Sequence, residues 1–211
     1  MDIKIVSPYV EIYRQKSGID ILKDLEQAGR TCYKSEEKMT ENSAVKFIKS
    51  ILQSGHESVI EHATVSARII CDRGVSHEIV RHRLFSYSQE STRYVNYKNH
   101  IEFIAPCFWA NDSIKRAIWE YSVSHDASAY YKLLDEGATP QEARSILPNS
   151  LKTEIVMTGN LRNWRHFLKL RCSSKAHPQM REIALLVLKQ MHEYIPVIFD
   201  DLADSYLTSI G

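Results

Sequence analysis

Glycine and proline are scarce in this chain, at 7 and 6 of 211 residues, and neither gathers into a linker. No hinge between independent units is marked, and the length suits one domain, 1–211, with a sizeable core. The pattern Gly-x-Gly-x-x-Gly is absent, so a dinucleotide held on a Rossmann turn is not indicated. Cysteine is sparse and spread out (Cys32, Cys71, Cys107, Cys172), with no Cys-x-x-Cys pair. That usage fits reduced thiols in a cytoplasmic protein. No apolar run approaches the roughly 18 residues needed to span a bilayer, and the start lacks the basic-then-apolar pattern of a secretory signal. Charge of one sign is missing too: 27 Lys and Arg against 26 Asp and Glu leave +1. A general nucleic-acid binder shows a strong basic excess instead.

The basic residues that are present concentrate in 81–93 and 162–171. Local concentration with global balance favours a bounded anionic ligand over a long polyanion. The run Arg81-His82-Arg83-Leu84-Phe85-Ser86-Tyr87-Ser88-Gln89-Glu90-Ser91-Thr92-Arg93-Tyr94 holds three arginines, a histidine, four Ser and Thr hydroxyls and two tyrosines. Guanidinium groups grip phosphate and carboxylate at two points and keep their charge. Hydroxyls, amides and tyrosine add short-range donors and flat apolar faces. This is the chemistry of a site for a small, anionic, partly aromatic ligand such as a nucleotide.

Periodicity predicts a first strand over Ile3–Ile12, broken by Pro8, and helices over Asp20–Tyr33 and Ala44–Gln53, the latter capped by Asn42. His62–Cys71 alternates as a half-buried strand. A short helix comes next, near Val75–Arg83, with Ser76 as its cap, and runs into a loop. Tyr94–Tyr97 and Ile101–Ile104 read as short strands, Ser113–Glu136 as a long helix, and Thr139-Pro140 as the start of another. Leu151–Thr158 reads as a strand, and Asn160–Leu170 and Gln179–Ile195 as helices. Without regular βαβ alternation, the expected class is α/β with a largely antiparallel mixed sheet flanked by helices.

Three further clusters carry chemistry. Gly55-His56-Glu57-Ser58-Val59-Ile60-Glu61-His62 offers His and Glu, yet a metalloprotease helix needs a second His where Ile60 stands. No metal ligand is assigned; as a loop feeding a strand, the segment presents Ser58, Glu61 and His56 to a polar ligand. In Asn160-Leu161-Arg162-Asn163-Trp164-Arg165-His166-Phe167-Leu168-Lys169-Leu170-Arg171, helical spacing puts Leu161, Trp164 and Leu168 on an apolar face and Arg162 and His166 on a polar one. Asn160 opens the helix, where free amides and the dipole attract anions. Arg144 lies in Ala143-Arg144-Ser145-Ile146-Leu147-Pro148. A solvated basic face and a surface arginine explain the last two clusters equally well by pattern alone. Basic and aromatic interleaving over Arg81–Tyr97 also suits a nucleic-acid module, which leaves the other clusters without a role.

Taken together, these stretches resemble the flavin-dependent thymidylate synthases. Arg-His-Arg followed after seven residues by Ser91 is similar to the family signature. Gly55–His62 resembles its Gly-His-x-Ser/Thr-x-x-Glu-His motif, Asn160–Arg171 its Asn-x-Arg-x-x-x-His/Asn-Phe-x-x-x-Arg pattern, and Ala143–Pro148 its Ala-Arg-x-x-Leu-Pro stretch. Ala28–Tyr33 is similar to a further segment, with Cys32 where a serine is common. The resemblance covers about 28–182, with its motifs in order. It implies a methyltransferase that makes dTMP from dUMP, with 5,10-methylenetetrahydrofolate as one-carbon donor and NADPH-reduced FAD as hydride donor. It assigns Arg171 to ionising the ring imide. It places Glu78, Ile79, Val80, Arg81, Gln89, Glu90, Ser91, Thr92, Arg93, Arg144 and Arg171 at dUMP, with Glu78 standing where some members have glutamine. Ser58, Arg81, His82, Arg83, Gln89, Asn160, Leu161, Arg162 and His166 fall to FAD. Homotetramers with shared active sites are implied, with no cysteine nucleophile and neither nucleic acid nor membrane as partner.

Overall fold

Two nine-residue segments of strict alternation build the centre of the molecule. The computed structural model describes residues 3–98 and 100–208. In chain order its strands and helices are β1 (Lys4–Val6), β2 (Tyr9–Tyr13), α1 (Gly18–Thr31), α2 (Ser43–Gln53), β3 (Thr64–Asp72), α3 (Arg73–Ile79), β4 (Ser86–Gln89), β5 (Glu102–Ile104), α4 (Ser113–Asp135), α5 (Pro140–Ala143), β6 (Lys152–Asn160), α6 (Leu161–Arg171), α7 (Pro178–Tyr194) and α8 (Pro196–Tyr206). Strands β3 and β6 pair antiparallel along their whole length, with Val65 opposite Gly159, Ala67 opposite Met157, Ile69 opposite Ile155 and Cys71 opposite Thr153. All eight of these residues are buried, so one face of the ladder is core. The other face is polar: Ser66 and Thr158 hydroxyls bond at 2.8 Å, and Arg68 grips Glu154 through Nε and Nη2. Period-2 alternation is what separates the two faces.

β2 and β4 flank this pair, giving the order β2-β3-β6-β4 with every pairing antiparallel. β1 and β5 form a separate parallel pair. Helices α1, α2, α6, α7 and α8 cover the buried face. Helix α6 contributes Leu161, Trp164, Phe167 and Leu168, and the Trp164 indole N–H donates to the Val65 carbonyl at 2.9 Å. A second apolar cluster packs Trp119, Val123, Ala127, Tyr130 and Tyr131 of α4 over Tyr97, Ile101, Phe103 and Leu151. The protein is thus mixed α/β with an antiparallel main sheet flanked by helices, as expected.

Several local expectations need correction. The break expected at Pro8 separates β1 from β2, but the two pieces do not continue one strand: they belong to different sheets. The third helix starts at Arg73 and ends at Ile79; its cap is Asp72, whose carboxylate accepts from the Val75 amide at 2.8 Å. Ser76 is buried inside it and donates to the Arg73 carbonyl. The Asn42 side chain makes no capping bond to α2. Glu57–His62 is a 3-10 helix, not a loop. Tyr94–Tyr97 is not a strand; a strand instead lies inside the signature, as β4. Helix α8, beyond Ile195, has no counterpart among the expected elements, although Ile198, Phe199 and Leu202 supply its buried face at helical spacing.

Gly159 lacks a side chain for a steric reason. A Cβ there would come within 2.4 Å of the Phe85 ring, which is itself packed against the core. Overpacking of this kind costs about 1–3 kcal/mol. Gly159→Ala is therefore expected to lower the urea midpoint at unchanged m-value; an unchanged midpoint would show that Phe85 moves freely.

Candidate active site

The signature forms a turn because its helix stops early and a phenol braces the residues after it. The Tyr87 hydroxyl lies 2.8 Å from both the Ile79 and the His82 carbonyl oxygens. Its single proton serves one of them at a time. Phe85 seats the turn on α6, its ring edge-on to Trp164 at 4.9 Å between centroids and lying over Gly159. The Asn163 side-chain Nδ2 donates to the Leu84 carbonyl at 3.1 Å. Turn and helix thereby border an open cavity of about 350 Å³ lined by Arg81, His82, Arg83, Leu84, Phe85, Asn163, His166, Leu170 and Arg171.

Arg171 ends α6 and is tied down inside this cavity. Its Nε donates to His82 Nε2 at 2.9 Å, Nη1 to the Glu78 carboxylate at 2.8 Å, and Nη2 to the Glu78 carbonyl at 3.4 Å. Burial, then the Arg171 charge, then His166 push the His82 pKa down to about 4. Its ring is consequently neutral near pH 7, which is what lets Nε2 accept from a guanidinium.

A second cavity, of about 690 Å³, adjoins the first and shares Leu84, Asn163 and His166 with it. Its other lining residues are Glu57, Glu61, Asn160, Arg162 and Lys169. Asn160 caps α6, accepting from the Asn163 amide at 2.8 Å. Arg162 is exposed and reaches Glu61 at 2.5 Å. The Leu161 side chain is in the core, so only its backbone is available at the helix start. Ser58 sits exposed on the 3-10 helix. Arg165, from the same basic run, serves the fold: it is 4% exposed and bidentate to Asp201 at 2.7 and 2.8 Å.

The remaining expected residues lie elsewhere. Gln89 faces the helix-covered side of the sheet, where its amide donates to Ser76 at 2.9 Å and Thr153 at 3.2 Å. Glu90 accepts from the Tyr97 hydroxyl at 2.5 Å and from Lys152 at 3.1 Å. Arg144, just after α5, donates to the buried Thr92 hydroxyl at 3.1 Å, and Arg93 donates to Gln141 at 2.8 Å. The Ser91 hydroxyl accepts from the Arg93 amide at 3.3 Å. Neither cavity is lined by Ser91, Thr92, Arg93 or Arg144. The chain thus presents two separate groups: Glu78, Arg81 and Arg171 with the turn, and Ser91–Arg93 with Arg144. Ile79 is fully buried and Val80 exposed.

Asn163, Leu84, Phe85, Leu170, Glu57 and Lys169 line the cavities without having been expected there. Helical spacing carried a signal for some of them: Asn160, Asn163, His166 and Leu170 fall at steps of three and four along one face. Three of the cysteines are held as thiols. Burial pushes the Cys71 thiol up, pushes Cys172 up to about 12, and with Glu182 beside it raises Cys107.

His82 makes stability depend on pH. Between its folded pKa of about 4 and the ordinary 6.5, the unfolded chain binds a proton that the folded chain does not. Stability is therefore lost as pH falls through that window. Urea midpoints at stepped pH should fall more steeply for the wild type than for His82→Gln; parallel slopes would contradict the neutral imidazole.

The family described as "Thymidylate synthase complementing protein" matches residues 19–197. A flavin-dependent thymidylate synthase of Mycolicibacterium gilvum is 37% identical over 195 residues, covering 84% of this chain and 78% of the relative. One from Geobacter sulfurreducens is 35% identical over 189 residues, covering 86% and 82%. Among solved structures, the UMP/dUMP methylase PolB of Streptomyces cacaoi, crystallised with 5-Br dUMP, superposes with a TM-score of 0.76 at 23% identity, covering 94% of this chain and 96% of that one, which supports the fold. With the motif-bearing turn and α6 joined around one cavity and matches over most of its length, the chain belongs to the flavin-dependent thymidylate synthases.

Proposed function

We propose that this protein makes dTMP from dUMP by reductive methylation, with 5,10-methylenetetrahydrofolate as one-carbon donor and FAD, reduced by NADPH, as hydride donor, releasing tetrahydrofolate. The observation that carries the reading is Arg171, fixed in a cavity between Arg81, Arg83 and the neutral His82. Carbon 5 of uracil is a poor nucleophile until the ring takes on negative charge. An arginine keeps its proton, so it stabilises an ionised ring imide by charge and hydrogen bonding. In a site that excludes water that stabilisation is large. Three Arg171 N–H groups are used internally, and of the five a guanidinium carries, two remain for the substrate.

The two adjoining cavities fit FAD by their donor set. Leu84, Phe85 and Leu170 give apolar surface for a flat ring, while Arg81, Arg83, Arg162 and the Asn160-capped start of α6 suit a pyrophosphate. Bound there, FAD supplies the hydride. His166 and Asn163, shared by both cavities, would orient it, with Ser58 at the rim and Gln89 acting indirectly by bracing Ser76 on α3. Ser91, Thr92, Arg93 and Arg144 carry the charge and hydroxyls for the dUMP phosphate, with Glu90 behind them. Because they lie apart from Arg171 in one chain, a homotetramer with shared sites would bring them to the Arg171 of another subunit. Exposed Tyr94, Ile114, Ile118 and Tyr121 support such self-association.

The chain acts in this reading as a single domain in the cytoplasm, with neither nucleic acid nor membrane as partner; among the described residues no helix is long and apolar enough to cross a membrane. A protein nucleophile has no place in it, in keeping with the raised Cys71, Cys107 and Cys172 thiols.

Protein loaded with FAD and desalted should keep flavin bands at near-stoichiometric amounts, lose them anaerobically with NADPH, and form dTMP when dUMP and the folate are added; colourless protein would refute the reading. Arg171→Ala should retain FAD and lose dUMP-dependent turnover, and unchanged turnover would remove Arg171 from the chemistry. Cys107→Ala should turn over almost normally, whereas complete loss would reinstate a thiol mechanism.

A further inference from the structure

We infer that Glu78 is a positioning residue that acts through Arg171, forming with His82 a clamp that sets the guanidinium plane before substrate arrives. The inference rests on Arg171 being the activating group and goes beyond a substrate contact for Glu78. Arg171 sits at the last position of α6, on a side chain with several free torsions, and nothing in the helix itself fixes its head. Two attachments from α3 and the turn do so. Glu78 takes Nη1 on its carboxylate and Nη2 on its own carbonyl, and His82 takes Nε.

The three acceptors come from residues four apart in sequence, and their mutual placement is held independently of Arg171. The Asp72 cap starts α3, and the Tyr87 hydroxyl braces the Ile79 or the His82 carbonyl, one at a time. His82 is further wedged edge-on against Phe167 of α6 at 4.9 Å. The clamp is therefore built into the sheet-to-helix framework, and Arg171 enters it from the opposite side. One carboxylate oxygen of Glu78, Oε2, is committed to the guanidinium, and a carboxylate beside an anionic nucleotide would repel it. Orientation, not ligand binding, is the work left for it.

Misplacement of a reacting group by about an ångström can cost about 100-fold in rate. Glu78→Ala should thus lower dUMP-dependent kcat by up to about 100-fold. The Kd for dUMP, read by calorimetry, should stay level or tighten, and NADPH-driven flavin reduction without dUMP should be unchanged. Glu78→Gln, whose amide oxygen can still accept from Nη1, should restore most of the lost turnover. A raised dUMP Kd at unchanged kcat would overturn the clamp and make Glu78 a direct ligand. An equal fall in Glu78→Gln and Glu78→Ala would also overturn it, because charge and not position would then matter. Arg171→Ala measured alongside separates the two readings. If it is inactive while Glu78→Ala is normal, only the clamp fails; if it is active, the role of Arg171 fails first.

Discussion

The antiparallel pairing of β3 with β6 is the constraint on which the rest depends. Each strand passes straight into a helix through a side-chain cap: Asp72 closes β3 and starts α3, and Asn160 closes β6 and starts α6. The register sets Asp72 opposite Lys152 and Thr64 opposite Asn160, so the two helices leave from opposite ends of one ladder. Strand β4 then returns along β6, with Ser86 opposite Thr158, and carries the turn 81–85 back to the start of α6. A slip of one residue would send Tyr87, Gln89 and Gly159 to the wrong face. Phe85 would lose its seat and the cavity its wall.

Charge is divided by what surrounds each group. Arg165 is buried and matched by Asp201 and Glu57, whose own side chains reach solvent, so removing the carboxylates would strand the guanidinium in a dry environment. Arg162 and Lys169, one turn to either side, are half-exposed and share the carboxylates of the 3-10 helix. Exposed pairs of that kind contribute little to folding, which leaves both cations free to exchange carboxylate for phosphate. Arg171 falls between these cases. It is partly shielded, held by one carboxylate and one neutral imidazole, and still presents N–H groups to the cavity.

Much of this was legible in the chain. The alternation of 62–71 and the β-branched content of 151–158 marked the central ladder to within two residues at each end. Asn160 at the head of an apolar-faced helix gave α6 and its anion-attracting start. The composition of the Arg-His-Arg run marked it only as a lead to a small anionic ligand; its spacing, which resembles the family signature, made the lead specific, and the run does line a cavity. Other features were hidden for physical reasons. Ser76 and Asp72 are both good caps, and only the hydrogen bond to Val75 selects Asp72. Arg165 and Arg162 are the same residue type in one basic run, and only the packing of α8 decides that the first is structural.

The sequence by itself determined most of the strands and helices, the faces they bury, and which residues bring charge, because those depend on period and residue type; β4 and α8 escaped it, and Tyr94–Tyr97 is not the strand it suggested. It could not decide that Glu78 and His82 would meet Arg171, about ninety positions away, or that Gln89 would turn toward Ser76 and Thr153. Nor could it separate Ser91–Arg93 and Arg144 from the Arg171 cavity. Those outcomes depend on strand register and on how α6 sits across the sheet. Both are settled only when the whole buried face is packed, since each contact there is made between residues that local chain geometry does not bring together.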